Sequence, residues 1–188
     1  MVIAIDLDGV VFDTEEYYRT YSNLYDIQHV KNGLQNKEEM DVHKRYGWDN
    51  EVANDFYEKY TEKVLIDSPF KPGAIFVLNE LKKLGHTLIC ITLRGYYRQC
   101  EIDVTEKRLK EANIVFDKII YSQTNKLFAC QEEKVDLIID DNPNTIQLLS
   151  QNNIRCFHFR GAGLKKVKHE NTKEVQNWGE IFENILKL

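Results

Sequence analysis

Cysteine, proline and glycine are all scarce in this sequence, and their scarcity narrows the class of protein. Its 188 residues include four cysteines without a CxxC pair, three prolines and nine glycines. That cysteine density does not support a disulfide framework, and the composition is that of an ordinary globular chain without low-complexity segments. We therefore expect reduced thiols, with Cys90 buried inside an apolar run, and a cytoplasmic location.

The chain also lacks an excess of positive charge and a long hydrophobic run. Its formal net charge is -5 at pH 7, whereas general binders of polymeric nucleic acid usually present a basic face. The apolar runs fall far short of the roughly 20 residues that a membrane span requires. Residues 1–5 lead directly into Asp6 without a basic leader, so we expect no signal peptide. We expect a protein that binds neither a membrane nor polymeric nucleic acid.

Short apolar runs alternate with helical patterns along most of the chain. The runs at 2–5, 87–91, 117–121, 135–139 and 154–158 are predicted strands, because each is short, apolar and mostly rich in β-branched residues. Helical spacing predicts helices over 72–84, 99–112, 143–149 and 178–186. Strands alternating with helices predict an α/β fold with a parallel sheet.

Two stretches depart from this alternation. Residues 14–68 contain no predicted strand, and their aromatic residues recur at helical spacing, so we expect a small helical insertion directly after the first strand. Residues 161–174 are rich in lysine and are predicted to form a loop.

Polar side chains gather at the ends of the predicted strands. They are Asp6, Asp8, Thr92, Lys126, Asp140 and Asp141. Ligands of open parallel sheets bind beyond the carboxyl ends of the strands, so we expect these side chains to share one site. Four carboxylates in one place repel one another unless a cation neutralises them, and oxygen ligands with few partners favour Mg²⁺.

Such a site suits attack on a phosphate monoester. A carboxylate nucleophile at Asp6 would split hydrolysis into two steps through an aspartyl-phosphate, and Asp8 would serve as the acid and base. Lys126 and Mg²⁺ would offset the negative charge, and Thr92 would donate a hydrogen bond to a phosphate oxygen. Gly9 allows a sharp backbone turn beside the phosphate.

The order of these motifs resembles that of the haloacid dehalogenase-like hydrolase superfamily. Residues 5–10, IDLDGV, resemble its motif I, DxDG[TV], and residues 89–92 are similar to motif II, an apolar strand that ends in Thr or Ser. Lys126 fits motif III, and residues 137–141, LIIDD, fit motif IV. The four motifs occur in the family order and span most of the chain.

The resemblance implies a set of roles. Asp6 would be the nucleophile and a ligand of Mg²⁺, and Asp8 would be the acid and base with its backbone carbonyl on the metal. Asp141 would bind the metal directly, with Asp140 as an outer partner.

The resemblance also implies an architecture. It predicts a Rossmann-like core from 1–13 and 69–188, with a helical cap at 14–68.

Within that superfamily, residues 8–13 and the short helical insertion resemble the 5'(3')-deoxyribonucleotidase family, which dephosphorylates nucleoside monophosphates. This sequence has Thr14 where that family has an aromatic residue that stacks on the base, and 92–94 read TLR rather than TSP. Arg94 is predicted either to bind a second anionic group or to pair with an acid. The candidate substrate-binding residues are Gly9, Leu93, Arg94, Tyr17, Tyr18 and Tyr21.

Three alternatives stay open beside a nucleotidase. A receiver domain uses similar residues, but there the paired acids follow the first strand, whereas here DxD comes first and DD last. A catalytically inactive phosphate-binding protein on the same fold is the second. The third is a phosphatase of another small ester, such as a sugar phosphate. A small phosphorylated metabolite is the expected partner in each enzymatic case, and a homodimer stays open.

Overall fold

The computed structural model describes residues 1–160 and 166–188, which form a six-stranded parallel sheet with helices around it. The strands are β1 (Val2–Ile5), β2 (Thr87–Ile91), β3 (Lys118–Ile120), β4 (Leu137–Asp140), β5 (Arg155–Phe159) and β6 (Thr172–Val175). The helices are α1 (Thr14–Tyr25), α2 (Val42–Tyr46), α3 (Asn50–Asp67), α4 (Ala74–Lys83), α5 (Gln99–Glu111), α6 (Lys126–Glu132), α7 (Pro143–Gln151) and α8 (Trp178–Ile185). A short π-helix, Asp26–Val30, follows α1.

The sheet has the strand order β3-β2-β1-β4-β5-β6. β1 lies between β2 and β4, and its residues Ile3 and Ile5 are completely buried because the sheet is covered on both faces. From β1 the chain first adds β2 and β3 on one side of the sheet, and it then adds β4, β5 and β6 on the other side. The carboxyl ends of β1 and β4 therefore flank the point where the order reverses, which is where open α/β sheets bind ligands.

The predicted α/β fold and its five strands are confirmed, with strand ends shifted by at most two residues. The predicted helix at 72–84 begins only at Ala74, because Gly73 adopts the left-handed region with a φ of 86°. None of the helices in the described ranges has both the length and the apolar character of a membrane span. Cys90 is buried as predicted, and all four cysteines carry free thiols.

The loop predicted over 161–174 is wrong at its end, where β6 pairs in parallel with β5. The four residues of β6, TKEV, are mostly polar, so they carry no apolar run by which a buried strand is recognised. This edge strand forms because β5 offers it backbone partners, which is a property of the assembled sheet. Residues 161–165 of the predicted loop lie outside the described residues.

The helices from α1 to α3 join the sheet through two adjacent chain crossings, which we call the neck. The Asp13 N–H donates to the Pro69 carbonyl at 2.9 Å, and the Lys71 N–H donates to the Val11 carbonyl at 2.8 Å. The rings of Phe12 and Phe70, one from each crossing, pack with centroids 4.6 Å apart.

Beyond the neck, the helical segment has a small aromatic core of its own, distinct from the two clusters that cover the sheet. It is formed by Tyr25, Val42, Tyr46, Trp48 and Phe56. The Trp48 indole N–H donates to the buried Asp26 carboxylate at 2.8 Å, so the polar edge of this ring is satisfied. The segment therefore carries the packing that holds its own helices together.

Candidate active site

Three carboxylates meet where β1 and β4 end. Asp6 follows β1, and Asp140 and Asp141 lie at the end of β4, whose Ile139 is in register with Ile5. The pairing continues one residue further, because the Asp6 N–H donates to the Ile139 carbonyl at 3.0 Å. One oxygen from each carboxylate lies within 4.8 Å of the others, and all three residues are buried. The two strand ends therefore create a compact acidic cluster.

Lys126 supplies positive charge to this cluster. Its Nζ lies 2.9 Å from Asp6 Oδ1 and 2.7 Å from Asp140 Oδ2. Lys126 is the first residue of α6, which begins after Asn125 caps it by accepting from the Leu127 N–H. Burial alone would lower the pKa of Lys126, but the charges of Asp140 and Asp6 outweigh burial and raise that pKa. Lys126 therefore stays an ammonium ion.

The single ammonium ion does not neutralise three carboxylates. Burial raises the pKa of Asp6 to about 6, with the charges of Asp140 and Asp8 adding to the effect against that of Lys126. Burial and the charge of Asp140 raise the pKa of Asp141 well above its usual range. The site therefore disfavours its own ionised form and would gain from a further cation.

The donor set fits a hard divalent cation such as Mg²⁺, because every ligand atom on offer is a carboxylate oxygen. Both oxygens of Asp140 are engaged, one by Lys126 and the other by the Asn142 N–H at 2.8 Å. In contrast, no residue among 1–160 and 166–188 donates a hydrogen bond to the Asp141 carboxylate. This arrangement favours Asp6 and Asp141 as direct ligands and Asp140 as an outer partner.

Gly9 makes room for Asp141. It adopts a φ of 71°, and a Cβ built on it would lie 1.9 Å from Asp141 Oδ2. No side chain can occupy that space while Asp141 holds its position. The absence of a Cβ at Gly9 therefore places the Asp141 carboxylate directly against the backbone that follows β1.

Asp8 lies outside the three-carboxylate cluster and pairs with Arg94. The Arg94 Nε and Nη2 donate to Asp8 Oδ2 and Oδ1 at 2.9 and 2.7 Å, which is bidentate geometry. Burial acts to raise the pKa of Asp8, but the charge of Arg94 and its two hydrogen bonds outweigh burial and lower that pKa. The Arg94 side chain is buried, whereas Asp8 keeps 38% of its side-chain exposure. Asp8 is thus held in one orientation and remains partly exposed to solvent.

Proteins similar to this chain over almost its whole length are known. No protein-family model matches the chain. A curated nucleotidase of Clostridium acetobutylicum is 25% identical over 189 residues, which span 99% of this chain and 94% of that protein. The crystal structure of a predicted phosphatase from the same organism superposes with a TM-score of 0.69 at 18% identity, and covers 100% of this chain and 98% of its own. A haloacid dehalogenase superfamily hydrolase from Geobacter sulfurreducens gives 0.61 at 15% identity, covering 97% and 98%.

The fold is that of the haloacid dehalogenase-like hydrolases. The predicted resemblance to this superfamily and to nucleotidases is confirmed, and the predicted enzyme class, a phosphoric monoester hydrolase, agrees with the names of these proteins.

The loop after β2 brings further predicted residues to this haloacid dehalogenase-like site. Thr92 is completely buried, and its Oγ1 accepts from the Arg94 N–H at 3.3 Å, which leaves its own proton available for donation. The Arg94 carbonyl accepts from the Ser122 N–H at 2.9 Å, so the loop is tied to the segment after β3. The Leu93 side chain, in contrast, is 41% exposed, and the Leu93 carbonyl accepts from the Tyr96 N–H at 3.1 Å.

The three predicted tyrosines of α1 occupy different places. Tyr18 is close enough to Asp8 and Arg94 for their charges to act on its pKa, which burial raises above the usual range. Tyr21 instead donates its O–H to Asp67 at 2.7 Å and packs on Tyr60. The structure therefore does not bring Tyr21 to the cluster of Asp6, Asp140 and Asp141. The half-buried Tyr17 is near enough to Arg108 of α5 for its charge to act on the pKa of that residue. The substrate contacts predicted for these residues stay predictions.

Residues that support the site escaped the sequence analysis. The Thr14 hydroxyl accepts from the Gly9 N–H at 3.2 Å, and the Thr105 Oγ1 accepts from Arg94 Nη1 at 2.7 Å. Glu101 accepts from the Gly95 N–H at 2.7 Å and so holds the loop after β2. Thr105 lies within the predicted helix at 99–112, and no spacing in the sequence links it to Asp8. For Thr14, the only signal was its replacement of an expected aromatic residue.

Replacing Lys126 by Met should destabilise the protein strongly in metal-free buffer. The substitution leaves three buried carboxylates without a cation, and breaking a buried ion pair costs about 3–5 kcal/mol. Chemical denaturation at pH 7 would measure the loss. Lys118→Met is the matched control, because Lys118 pairs with Glu133 on the surface and should change stability by about 0.5 kcal/mol or less. Equal losses for both variants would contradict the proposed role of Lys126 in neutralising the cluster.

Proposed function

We propose that this protein is a Mg²⁺-dependent phosphomonoesterase that acts through an aspartyl-phosphate on Asp6. The observation that carries the proposal is the convergence of Asp6, Asp140 and Asp141 within 4.8 Å around the Lys126 ammonium ion. An anionic nucleophile can approach an anionic phosphate only where positive charge compensates both. Asp6 and Asp141 would hold the Mg²⁺, which when bound supplies part of that charge.

Asp6 is the group suited to attack the phosphorus. With a pKa of about 6 it is largely ionised at neutral pH, and a neighbouring cation would lower that pKa further. The Lys126 ammonium ion stabilises the negative charge that Asp6 shares with the phosphate, and Thr92 orients a phosphate oxygen with its hydroxyl proton. The bond from phosphorus to the ester oxygen breaks as the bond to Asp6 forms.

Asp8 is suited to move the proton in both steps. It would protonate the departing ester oxygen and then take a proton from the water that attacks the aspartyl-phosphate. The bidentate pairing of Asp8 with Arg94 fixes the carboxylate in one orientation, and part of the Asp8 side chain stays exposed to solvent. Arg94 favours the ionised form of Asp8, whereas an approaching phosphate dianion raises the pKa of Asp8 and so favours its protonated form. The two forms required by the two steps are therefore both accessible.

A nucleoside monophosphate is the leading substrate. A curated relative of this chain is named a nucleotidase, and Tyr18, whose pKa is affected by the charge of Asp8, is in edge-to-face contact with Tyr57 at a centroid distance of 6.2 Å. Aromatic faces of this kind suit the flat base of a leaving nucleoside. We infer that residues 14–68 form a cap over the leaving group and exclude water, and that 1–13 and 69–188 form the catalytic core.

Phosphate release from a panel of nucleoside monophosphates, deoxynucleotides and sugar phosphates, with and without Mg²⁺, tests the proposal. Turnover of nucleotides that requires the divalent cation is expected. Turnover of sugar phosphates alone would contradict a nucleotide substrate but would still support phosphatase activity. No metal-dependent release from any ester would contradict the phosphatase, and retained binding of inorganic phosphate would then favour a catalytically inactive binding protein.

Mg²⁺ should raise the melting temperature more at pH 7 than at pH 5. The pKa of Asp6 is about 6 in the folded protein against 3.8 ordinarily, so the folded state binds the proton more tightly than the unfolded state does. The metal-free protein should therefore lose stability as the pH rises from about 4 to about 6, and Mg²⁺ should restore it above that range. Thermal unfolding at both pH values is the measurement. A shift of the same size at both pH values would contradict the assignment of Asp6 as a ligand.

A further inference from the structure

Two arginines from the core lie over one aromatic ring of the neck. The guanidinium carbons of Arg94 and Arg108 lie 4.6 Å and 4.8 Å from the centroid of Phe12, and Arg108 also lies 5.1 Å from that of Phe70. Aromatic faces attract cations, which offsets the repulsion between two guanidinium groups so close together. The ring that leads the chain into the cap is thus in contact with an arginine that also binds Asp8.

Arg108 in addition holds the point where the cap returns to the core. Its Nη1 donates to the Leu65 carbonyl at 2.6 Å and also to the Ser68 carbonyl. These carbonyls belong to the end of α3, where backbone acceptors lack partners within the helix and where the helix dipole favours a cation. Any rotation of α3 about the neck must therefore move Arg108 or break these bonds.

α3 and α5 also pack side by side near this contact. A groove of about 320 Å³ separates the two helices, with walls that include Glu62 and Arg108. The ion pair between Arg98 and Glu58, at 3.0 Å, links the same two parts of the chain but involves an exposed glutamate. Exposed pairs contribute at most about 1 kcal/mol, so Arg108 is the stronger tie.

α5 connects the two ends of this arrangement. It carries Thr105, whose hydroxyl accepts from Arg94 Nη1, and Arg108 one turn later, which binds the end of α3. Arg94 in turn binds Asp8 through two hydrogen bonds. Helix α5 therefore contacts Arg94, which holds the proposed acid and base Asp8, and it also contacts the end of α3, where the cap returns to the core.

We propose that Arg108 is a positioning residue, which sets the angle of the neck and, through Phe12 and Arg94, the placement of Asp8. This inference rests on the proposed function of Asp8 as the acid and base. Without the Arg108 guanidinium, the end of α3 loses two hydrogen bonds and Phe12 loses one of the cations above its ring. Arg94 then holds Asp8 against a ring whose position is no longer fixed.

Leaving groups of different quality separate this role from a loss of folded protein. A nucleoside leaves as an alkoxide and requires a proton from Asp8, whereas p-nitrophenolate leaves without one. Because kcat/KM reports the steps up to departure of the leaving group, it does not depend on the later step in which Asp8 acts as a base. Arg108→Met should lower kcat/KM roughly 10- to 100-fold for the nucleoside monophosphate that the wild type hydrolyses fastest. The same variant should lower kcat/KM for p-nitrophenyl phosphate by less than about threefold.

Two further variants calibrate the result. Arg108→Lys keeps a cation with donors and should recover part of the loss. Lys107→Met changes an adjacent residue that lines the groove without touching the neck, and should leave both substrates unaffected. Hydrogen exchange of the amides at 64–68 should quicken in Arg108→Met and remain unchanged in Lys107→Met.

An equal fall for both substrates, or no fall for either, would overturn the inference, as would unchanged exchange at 64–68. Absence of phosphate release by the wild-type protein from every ester would instead refute the proposed function. Exchange measured in that case would test the tie between Arg108 and α3 without any activity, and unchanged exchange would overturn that tie as well.

Discussion

Asp6→Asn should abolish phosphate release, with a loss of at least about 10⁴-fold in kcat. The amide of Asn is too weak a nucleophile to form the covalent intermediate, and it also lacks the charge that a divalent cation requires. The expected result depends on the position of Asp6, which contacts Lys126 and has Asp141 beside it. Phosphate release under saturating substrate and Mg²⁺ measures it.

The loss in Asp6→Asn should not come from unfolding. The raised pKa of Asp6 shows that its ionised form is unfavourable in the folded protein, so the neutral amide should leave the melting temperature of the metal-free protein unchanged or higher. Asp103→Asn is the control, because Asp103 is exposed on α5, where its carboxylate accepts from the side chain of Gln99. Its activity should equal that of the wild type. Full activity in Asp6→Asn would refute the mechanism.

Gly9→Ala should disable the site through a single methyl group. The new Cβ would lie 1.9 Å from Asp141 Oδ2, so the carboxylate must move by more than an ångström or the backbone after β1 must shift. Misplacement of that size costs roughly 10²-fold or more in rate. The same movement should weaken Mg²⁺ binding, which the cation-dependent shift in melting temperature would measure.

Gly33→Ala separates the clash from the backbone strain. Gly33 has a φ of 72°, almost the same as the 71° of Gly9, yet nothing lies within 4 Å of its added Cβ. Both substitutions therefore impose about 1–2 kcal/mol of left-handed strain, and only Gly9→Ala also displaces Asp141. Gly33→Ala should keep its activity and its response to Mg²⁺. Equal effects of the two variants would show that strain, not space for Asp141, explains the requirement for glycine.

Much of the core could be predicted because its signals are local. The strand at 2–5 is apolar on both faces and is followed by DxDG, and the apolar strand at 137–140 ends in the DD pair, so the four aspartates were found beside the strands that carry them. β6 escaped prediction because its four residues owe their strand structure to β5. Lys126 was weaker as a sequence signal, since nothing in a lone lysine shows that it lies between two aspartates.

The partners of the site residues needed the folded chain. The sequence left Arg94 open between a second anionic group and an acid, and the structure pairs it with Asp8, 86 residues away. Gly9 indicated a turn, whereas its contact with Asp141 spans the gap between β1 and β4. Tyr18 and Tyr21 share one helix and one periodicity, yet the charge of Asp8 acts on the pKa of Tyr18, whereas Tyr21 donates to Asp67.

The amino-acid sequence by itself determined which residues end the strands and in what order they occur, because strand periodicity and strand length are properties of neighbouring residues. The tertiary structure decided which of those ends meet, what charge each side chain faces and where Arg108 binds the end of α3. Those contacts join residues that are far apart along the chain, and they exist only once the sheet has brought β1, β2 and β4 side by side.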